Sequence, residues 1–158
     1  MIRLRELTAE DIESIQRIFS PESTAFLMRE PMSRVASQVY VDRAMADAGR
    51  RPRMRYILGA AADEDLVGVV KLDLDGTDAV VSYILRADSW GRGHATDALR
   101  ELLVMAFGKL GVASVRARHH LDNPASGRVL ANAGFLPVGR VSGFETYVIR
   151  TEGKTTDE

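Results

Sequence analysis

The chain has 158 residues, of which 46% are hydrophobic and 27% are charged, and its net charge is −1. These values favour one globular domain with its own core, and they predict neither nucleic acid nor an anionic membrane as a partner. Cysteine is absent, which excludes disulfides and cysteine chemistry, and no signal peptide or membrane-spanning run is recognisable, so a cytoplasmic protein is expected.

The first third of the chain predicts a strand followed by two helices. Residues 2–7 alternate apolar and polar side chains, as a strand does. Thr8 can cap a helix over residues 9–19, which Pro21 ends, and residues 33–50 predict a second helix. The apolar residues of these two helices are Ile12, Ile15, Ile18, Phe19, Val35, Val39, Ala44, Met45 and Ala48.

The middle of the chain predicts a meander of three strands. Residues 54–61, 66–74 and 79–85 are rich in apolar and β-branched side chains, as strands are. An acidic turn at residues 63–65 separates the first two, and Asp-Gly-Thr-Asp at residues 75–78 is a strong hairpin signal before the third.

The last third predicts a helix, a strand, a helix and two strands. Apolar residues recur with helical spacing over residues 95–110, and residues 112–120 predict a strand. Residues 123–134 begin with Asn-Pro and end with Gly, which are typical limits of a helix. Residues 135–141 and 144–150 close the sequence as two further strands.

This order of elements predicts one α+β (mixed α/β) domain over residues 1–150. Three hairpin-linked strands precede a helical crossover, so the central sheet, of about seven strands, is expected to be mixed rather than wholly parallel. Residues 151–158 are expected to form a polar, frayed C-terminal tail.

The segment SWGRGHATDALRELL, residues 89–103, places two glycines directly before the clearest helix. The first N–H groups of a helix are unpaired and attract anions, so this loop is either a pyrophosphate cradle or an ordinary tight turn. The glycines of this loop are not followed by the Lys-Ser or Lys-Thr of a Walker motif, and Thr96 stands where a dinucleotide fingerprint needs its third glycine. In a cradle, Gly91 and Gly93 would let the backbone approach the phosphates, and Arg92 would add a cationic contact.

The segments YILRADSWGRGHATDALRELLVMAF and NPASGRVLANAGF, followed by Gly139, resemble the GNAT superfamily of acetyl-CoA-dependent N-acetyltransferases. Within it, the sequence is most similar to the ribosomal-protein-alanine or -serine N-terminal acetyltransferase branch. The resemblance extends over about residues 54–139. It implies helices on both faces of the sheet, acetyl-CoA as co-substrate and no metal.

The resemblance also implies where the cofactor lies. The strand ending at Ile84 and Leu85 is expected to splay from the next strand and to pair with the pantetheine arm. The residues that the resemblance places at the pyrophosphate are Gly91, Arg92, Gly93, His94, Ala95 and Thr96.

Acetyl transfer to an amine requires loss of the ammonium proton and protonation of the departing thiolate. Many GNAT enzymes carry a tyrosine in the last helix as the acid, and this chain has Leu130 there. The branch resemblance instead gives Ser126 the position of a serine near the cofactor sulfur, against the alternative of a first-turn serine without a role. It gives Glu145 the position of the base, against the alternative of a solvent-facing strand residue.

Four other polar residues remain open in role. Asn123 either caps its helix only or also holds the pantetheine amide. His94 lies in the glycine loop, whereas His119 and His120 are strand neighbours that face opposite sides and cannot easily share a metal. These histidines are expected to be incidental or to line the acceptor site.

The expected function is transfer of an acetyl group from acetyl-CoA to a primary amine, either a protein N-terminus or a small molecule, by a monomer or homodimer. Residues 20–31 would form part of the acceptor wall. The alternatives are a catalytically silent acyl-CoA-binding regulatory module, which the missing tyrosine favours, and transfer of a larger acyl group such as succinyl.

Overall fold

The computed structural model describes residues 1–25, 27 and 29–151, so Phe26, Met28 and all of the predicted tail except Thr151 lie outside the described residues. The strands are β1 (Ile2–Glu6), β2 (Arg55–Ala62), β3 (Asp65–Asp75), β4 (Asp78–Leu85), β5 (Ser114–His120), β6 (Leu136–Val141) and β7 (Phe144–Arg150). The α-helices are α1 (Ile12–Ile18), α2 (Pro21–Thr24), α3 (Arg34–Ala48), α4 (His94–Val104) and α5 (Pro124–Asn132).

The seven strands form one mixed sheet in the order β1-β2-β3-β4-β5-β7-β6. All neighbouring strands are antiparallel except β4 and β5, which are parallel because the chain crosses over through α4 between them. The predicted hairpin at residues 75–78 is present, and Gly76 supplies its positive φ of 63°. The predicted α+β class and the mixed sheet are therefore confirmed.

Helices cover both faces of the sheet, and each face has its own core. On one face α4 and α5 pack on the sheet around Leu99, Leu102 and Leu130, each 0% exposed. On the other face α1 and α3 cover β2, β3 and the end of β4, around Ile15, Ile18 and Val41. This second pair of helices stops short of β5 and β7, so that part of the sheet face has no helix against it among the described residues.

The first helical region differs from its prediction at Pro21. Thr8 does cap the start: its side chain accepts a hydrogen bond from the Glu10 N–H, and Asp11 completes the capping box. However, α1 ends at Ile18, and Pro21 then begins the short helix α2 instead of only ending the first helix. The fixed φ of proline suits the first turn of a helix.

The helix predicted over residues 33–50 is present as α3, but its apolar residues do not form one buried face. Val35, Val39 and Met45 are exposed, and the residues buried against the sheet are Ser37, Val41 and Ala44. The apolar side chains are spread around this helix, so their spacing alone does not single out one face. No helix in the described ranges is both long and apolar enough to cross a bilayer.

Candidate active site

The parallel strands β4 and β5 are hydrogen-bonded over only three residue pairs, from Asp78 with Ser114 to Val80 with Arg116. Beyond them, residues 81–85 and 117–120 continue as strands without pairing to each other. The sheet is therefore split at its centre, and the predicted splay of the strand ending at Ile84 and Leu85 is confirmed.

Alternation along β4 decides which backbone groups face the split. Arg86 donates its N–H to the Val67 carbonyl of β3, so the register makes Ile84 a hydrogen-bonded partner of Val69. The N–H and C=O groups of Tyr83 and Leu85 consequently point away from β3, toward the split. Of the two residues expected to pair with a pantetheine arm, Leu85 turns its backbone groups toward the split and Ile84 turns them toward β3, while those of Tyr83 also face the split.

A single cavity of about 1370 Å³ passes through the split. On the side of α4 and α5 it is lined by Thr96, Asn123 and Ser126, and on the opposite side by Ser82 and residues of β5 and β7. We call that opposite side the open face. Its residues, which alternate with the core residues of β3, β4, β5 and β7, are Lys71, Asp73, Val80, Ser82, Arg116, Arg118, His120, Phe144, Thr146, Val148 and Arg150.

The glycine loop forms the start of α4 at one end of this cavity. Gly91 and Gly93 both have a φ of 79°, and a Cβ at either position would meet no described atom within 4 Å. No side chain of the described residues caps α4, and its first helical hydrogen bond runs from the Asp97 N–H to the Gly93 carbonyl. The N–H groups of residues 94–96 thus have no helical acceptor and face an open concavity, as an anion site requires.

Two side chains hold the end of β4 at this loop. The Trp90 indole donates to the Leu85 carbonyl at 3.2 Å, and the Ser23 hydroxyl of α2 donates to the same oxygen at 2.7 Å. Since this carbonyl already accepts two hydrogen bonds, Leu85 has only its N–H available for a ligand. The segment predicted as an acceptor wall, residues 20–31, lines the cavity through Ser23, Leu27 and Arg29, and its residues Phe26 and Met28 lie outside the described residues.

Ser126 lies in the first turn of α5, and its Oγ is 2.5 Å from the Tyr83 hydroxyl. Burial raises the pKa of Tyr83 to about 12, although the hydrogen bond with Ser126 lowers it. Tyr83 is therefore a protonated phenol at neutral pH, in contact with the serine hydroxyl. Tyr83 is not among the residues predicted from the sequence, although a tyrosine directly before the splayed end of a strand is a signal that could identify it.

Asn123 precedes α5, but its side chain makes no capping hydrogen bond to the described residues. Its backbone carbonyl accepts the Ser126 N–H at 3.2 Å. Capping alone, one of the two alternatives for Asn123, is thus not what the structure shows. The carboxamide lines the cavity and is available to a ligand.

Glu145 does not line the cavity that contains Ser126. It belongs to a second, smaller hollow beside α5, where its carboxylate accepts a hydrogen bond from Arg140 at 3.0 Å. Strand alternation places Glu145 on the side of the sheet that α5 covers, where it is the register partner of His119. Phe144 and Thr146 face the other side. Glu145 therefore shares this face with His119 and Tyr147, and its role as a base stays a prediction.

His119 and Tyr147 form a hydrogen-bonded pair against α5. His119 Nδ1 lies 2.8 Å from the His120 carbonyl, so Nδ1 carries the proton, and Nε2 accepts the Tyr147 hydroxyl at 3.2 Å. A Cβ at Gly127 would stand 2.8 Å from His119 Nε2 and 2.9 Å from the Tyr147 hydroxyl. The glycine thus lets this pair pack beside Ser126. Among the described residues no three His, Asp or Glu side chains are placed to hold a metal ion.

A family model described as acetyltransferase (GNAT) domain matches residues 2–136. The uncharacterized N-acetyltransferase YoaA of Bacillus subtilis is 26% identical over 141 residues, which are 86% of this chain and 80% of that protein. Mycobacterium smegmatis RimJ, solved with CoA-disulfide, superimposes with a TM-score of 0.81 at 21% identity and covers 98% of this chain and 84% of its own.

Another similar structure is the spermidine N-acetyltransferase from Vibrio cholerae, solved with CoA and spermine. Its TM-score is 0.78 at 18% identity, and the match covers 94% of this chain and 95% of that one. At such identities the two solved structures establish the fold.

Proposed function

Because the chain belongs to the GNAT acetyltransferase family, we propose that it carries an acetyl group from acetyl-CoA, bound on the α4 side of the split, to a primary amine that enters from the open face. The amine is a peptide N-terminus or a small molecule. The observation that carries this proposal is the cavity that joins the glycine loop to the open face through the split. A catalytically silent binding module would have no need of that second opening.

The residues proposed to hold acetyl-CoA fit its chemistry. The N–H groups of residues 94–96 would bind the pyrophosphate at the start of α4, where Arg92 adds a cation. The backbone of Tyr83 and Leu85 would pair with the pantetheine amides as an added strand, and the Asn123 carboxamide would bind another amide. Bound there, the co-substrate supplies the acetyl group as a thioester.

Ser126 and Tyr83 are proposed to deliver a proton to the departing sulfur. Ser126 lies on α5, and its hydroxyl can donate its proton to the sulfur while it accepts a proton from Tyr83. Because burial raises the pKa of Tyr83 to about 12, the Tyr83 hydroxyl keeps its proton at neutral pH until the thiolate departs. The missing helix tyrosine is thus replaced by a tyrosine on the neighbouring strand.

The proton of the acceptor amine is assigned to the Tyr147–His119 pair in place of Glu145. Tyr147 can take a proton from the amine as it passes its own to His119 Nε2, which accepts it in the geometry described. His119 and Tyr147 line both the cavity and the smaller hollow, whereas Glu145 lines only the hollow and binds Arg140. We infer that Glu145 positions β6 against β7.

The test is acetylation of a panel of amines and peptides, followed by release of free thiol from acetyl-CoA. Ser126→Ala and Tyr83→Phe should each lower kcat by about 10- to 100-fold, with the Kd of acetyl-CoA changed less than about twofold. Because the two hydroxyls act as one unit, the double variant should lose little more than either single variant. Tyr56→Phe, which removes a hydroxyl from β2 outside the cavity, is the matched control.

Two results would contradict this assignment. If affinity for acetyl-CoA falls while kcat stays, Ser126 and Tyr83 only bind. If no amine in the panel is acetylated by a folded protein that binds acetyl-CoA, the chain is the silent module.

A further inference from the structure

We propose that the acceptor is an anionic amine, that is, a primary amine that also carries a carboxylate or phosphate. This inference rests on the proposed function and narrows its substrate class. It is drawn from the charges on the open face, which is the side of the split from which the amine enters.

The open face carries an excess of positive charge. Lys71, Arg116, Arg118 and Arg150 all lie on it and line the cavity. Asp73 is the one carboxylate among the described residues that line this cavity, and Arg55 already binds it at 2.6 Å. Clefts lined by charge of one sign concentrate ligands of the opposite sign.

These cations are separate from the proposed phosphate site. The glycine loop opens α4, which packs on the opposite face of the sheet together with α5. Strand alternation puts Arg116 and Arg118 on the open face, whereas their neighbours Val115 and Ala117 belong to the core beneath α4. The phosphates of a cofactor at α4 therefore leave the open-face charges uncompensated.

Arg118 is held in a geometry suited to an anion. Its guanidinium stacks on the Phe144 ring at 4.1 Å from the centroid, which fixes the plane and leaves the edge N–H groups free. A guanidinium edge binds carboxylate or phosphate through two parallel hydrogen bonds. Arg116 stands two residues away on the same strand, about 7 Å along it, so two anionic groups, or one group between them, can be bound beside the split.

The reverse case is a polycationic acceptor such as a polyamine. Its second ammonium would meet several cations and a carboxylate that is already paired with Arg55. Placing like charges together in this way is a means of rejecting a ligand. The open face therefore selects against polycationic amines.

The test compares amines that differ in charge. One arm uses the amidated peptides Ser-Asp-Asp-Ala and Ser-Lys-Lys-Ala, and the other uses O-phosphoethanolamine and putrescine, so the arms separate a peptide source from a small-molecule source. In at least one arm, kcat/KM should be about tenfold or more higher for the anionic amine, and KM for that amine should rise with ionic strength.

The double variant Arg116→Gln/Arg118→Gln should raise KM for the anionic amine at least about tenfold with little change in kcat, and the Kd of acetyl-CoA should stay within about twofold. Arg43→Gln, on the exposed side of α3, should change neither. Preference for cationic or neutral amines, with KM unaffected by the double variant, would overturn the inference and leave amine acetylation standing. Failure to acetylate any amine would overturn both.

Discussion

Substitution of Gly93 by valine tests whether the loop before α4 binds the pyrophosphate through its backbone. Gly93 has a φ of 79°, and a Cβ added there would have no described atom within 4 Å. A Cβ therefore has room within the described part of the protein, and the main cost of valine to folding is the strain of the left-handed region, about 2 kcal/mol. For a domain of this size that strain lowers Tm by roughly 4 to 8 °C.

Gly93 is expected to differ from glycines in other turns because a ligand approaches it. Gly76, in the hairpin between β3 and β4, has a φ of 63° and equally open surroundings. Gly76→Val should therefore lose similar stability but leave the Kd of acetyl-CoA unchanged. Gly93→Val should raise that Kd at least about tenfold, or roughly 1.4 kcal/mol, because the branched side chain stands where the phosphates approach.

Calorimetry of both variants with acetyl-CoA, below their melting temperatures, makes the comparison. Equal Kd values for the two folded variants would show that the loop is only a turn, and the cofactor assignment would fail.

Three further predictions concern the surroundings of α5 and the capping box. Glu145→Gln should change kcat by less than about twofold, whereas His119→Gln should lower kcat about tenfold or more. A pH–rate profile of His119→Gln should show kcat partly restored at higher pH. If Glu145→Gln instead has the larger effect, Glu145 is the base. Gly127→Ala, whose Cβ meets His119 Nε2 at 2.8 Å and the Tyr147 hydroxyl at 2.9 Å, should lose about 1 to 2 kcal/mol in urea unfolding, while Gly108→Ala, with open space around it, should lose none. Burial raises the pKa of Asp11, but hydrogen bonds from its arginine partner and a backbone N–H outweigh burial and hold that pKa below its usual value. Asp11→Asn should thus cost about 1 to 2 kcal/mol at pH 7, and the difference from the natural protein should shrink as the pH falls below about 4; a difference that stays constant with pH would refute this.

The sequence predicted the sheet well because its signals are local. Alternation and turn residues mark each strand, and the Asp-Gly hairpin with the crossover through α4 determines which neighbours are antiparallel or parallel. The same local signals predicted α3 as a helix but not which side of it is buried, because burial depends on the sheet that the helix meets.

The candidate site was less predictable because it depends on register. Motif spacing identified the glycine loop and Ser126, but Tyr83 becomes relevant only because β4 turns its ring toward α5. The face that Glu145 occupies depends on register in the same way: it is decided by pairing with β5, and a shift of one residue would reverse it.

The short pairing of β4 with β5 also has a mechanical consequence. Three residue pairs join a block of four strands to a block of three, so the domain has a weak seam that few hydrogen bonds close. Opening along this seam is expected to need less free energy than global unfolding, and amide exchange should be fastest at Tyr83 and Leu85, whose N–H groups face the gap. A ligand that lies there as an added strand would bridge the two blocks. At a free concentration of a hundred times its Kd, it would add about 2.7 kcal/mol to the stability of the closed form. Much of the rigidity of this sheet would therefore come from the ligand that it binds.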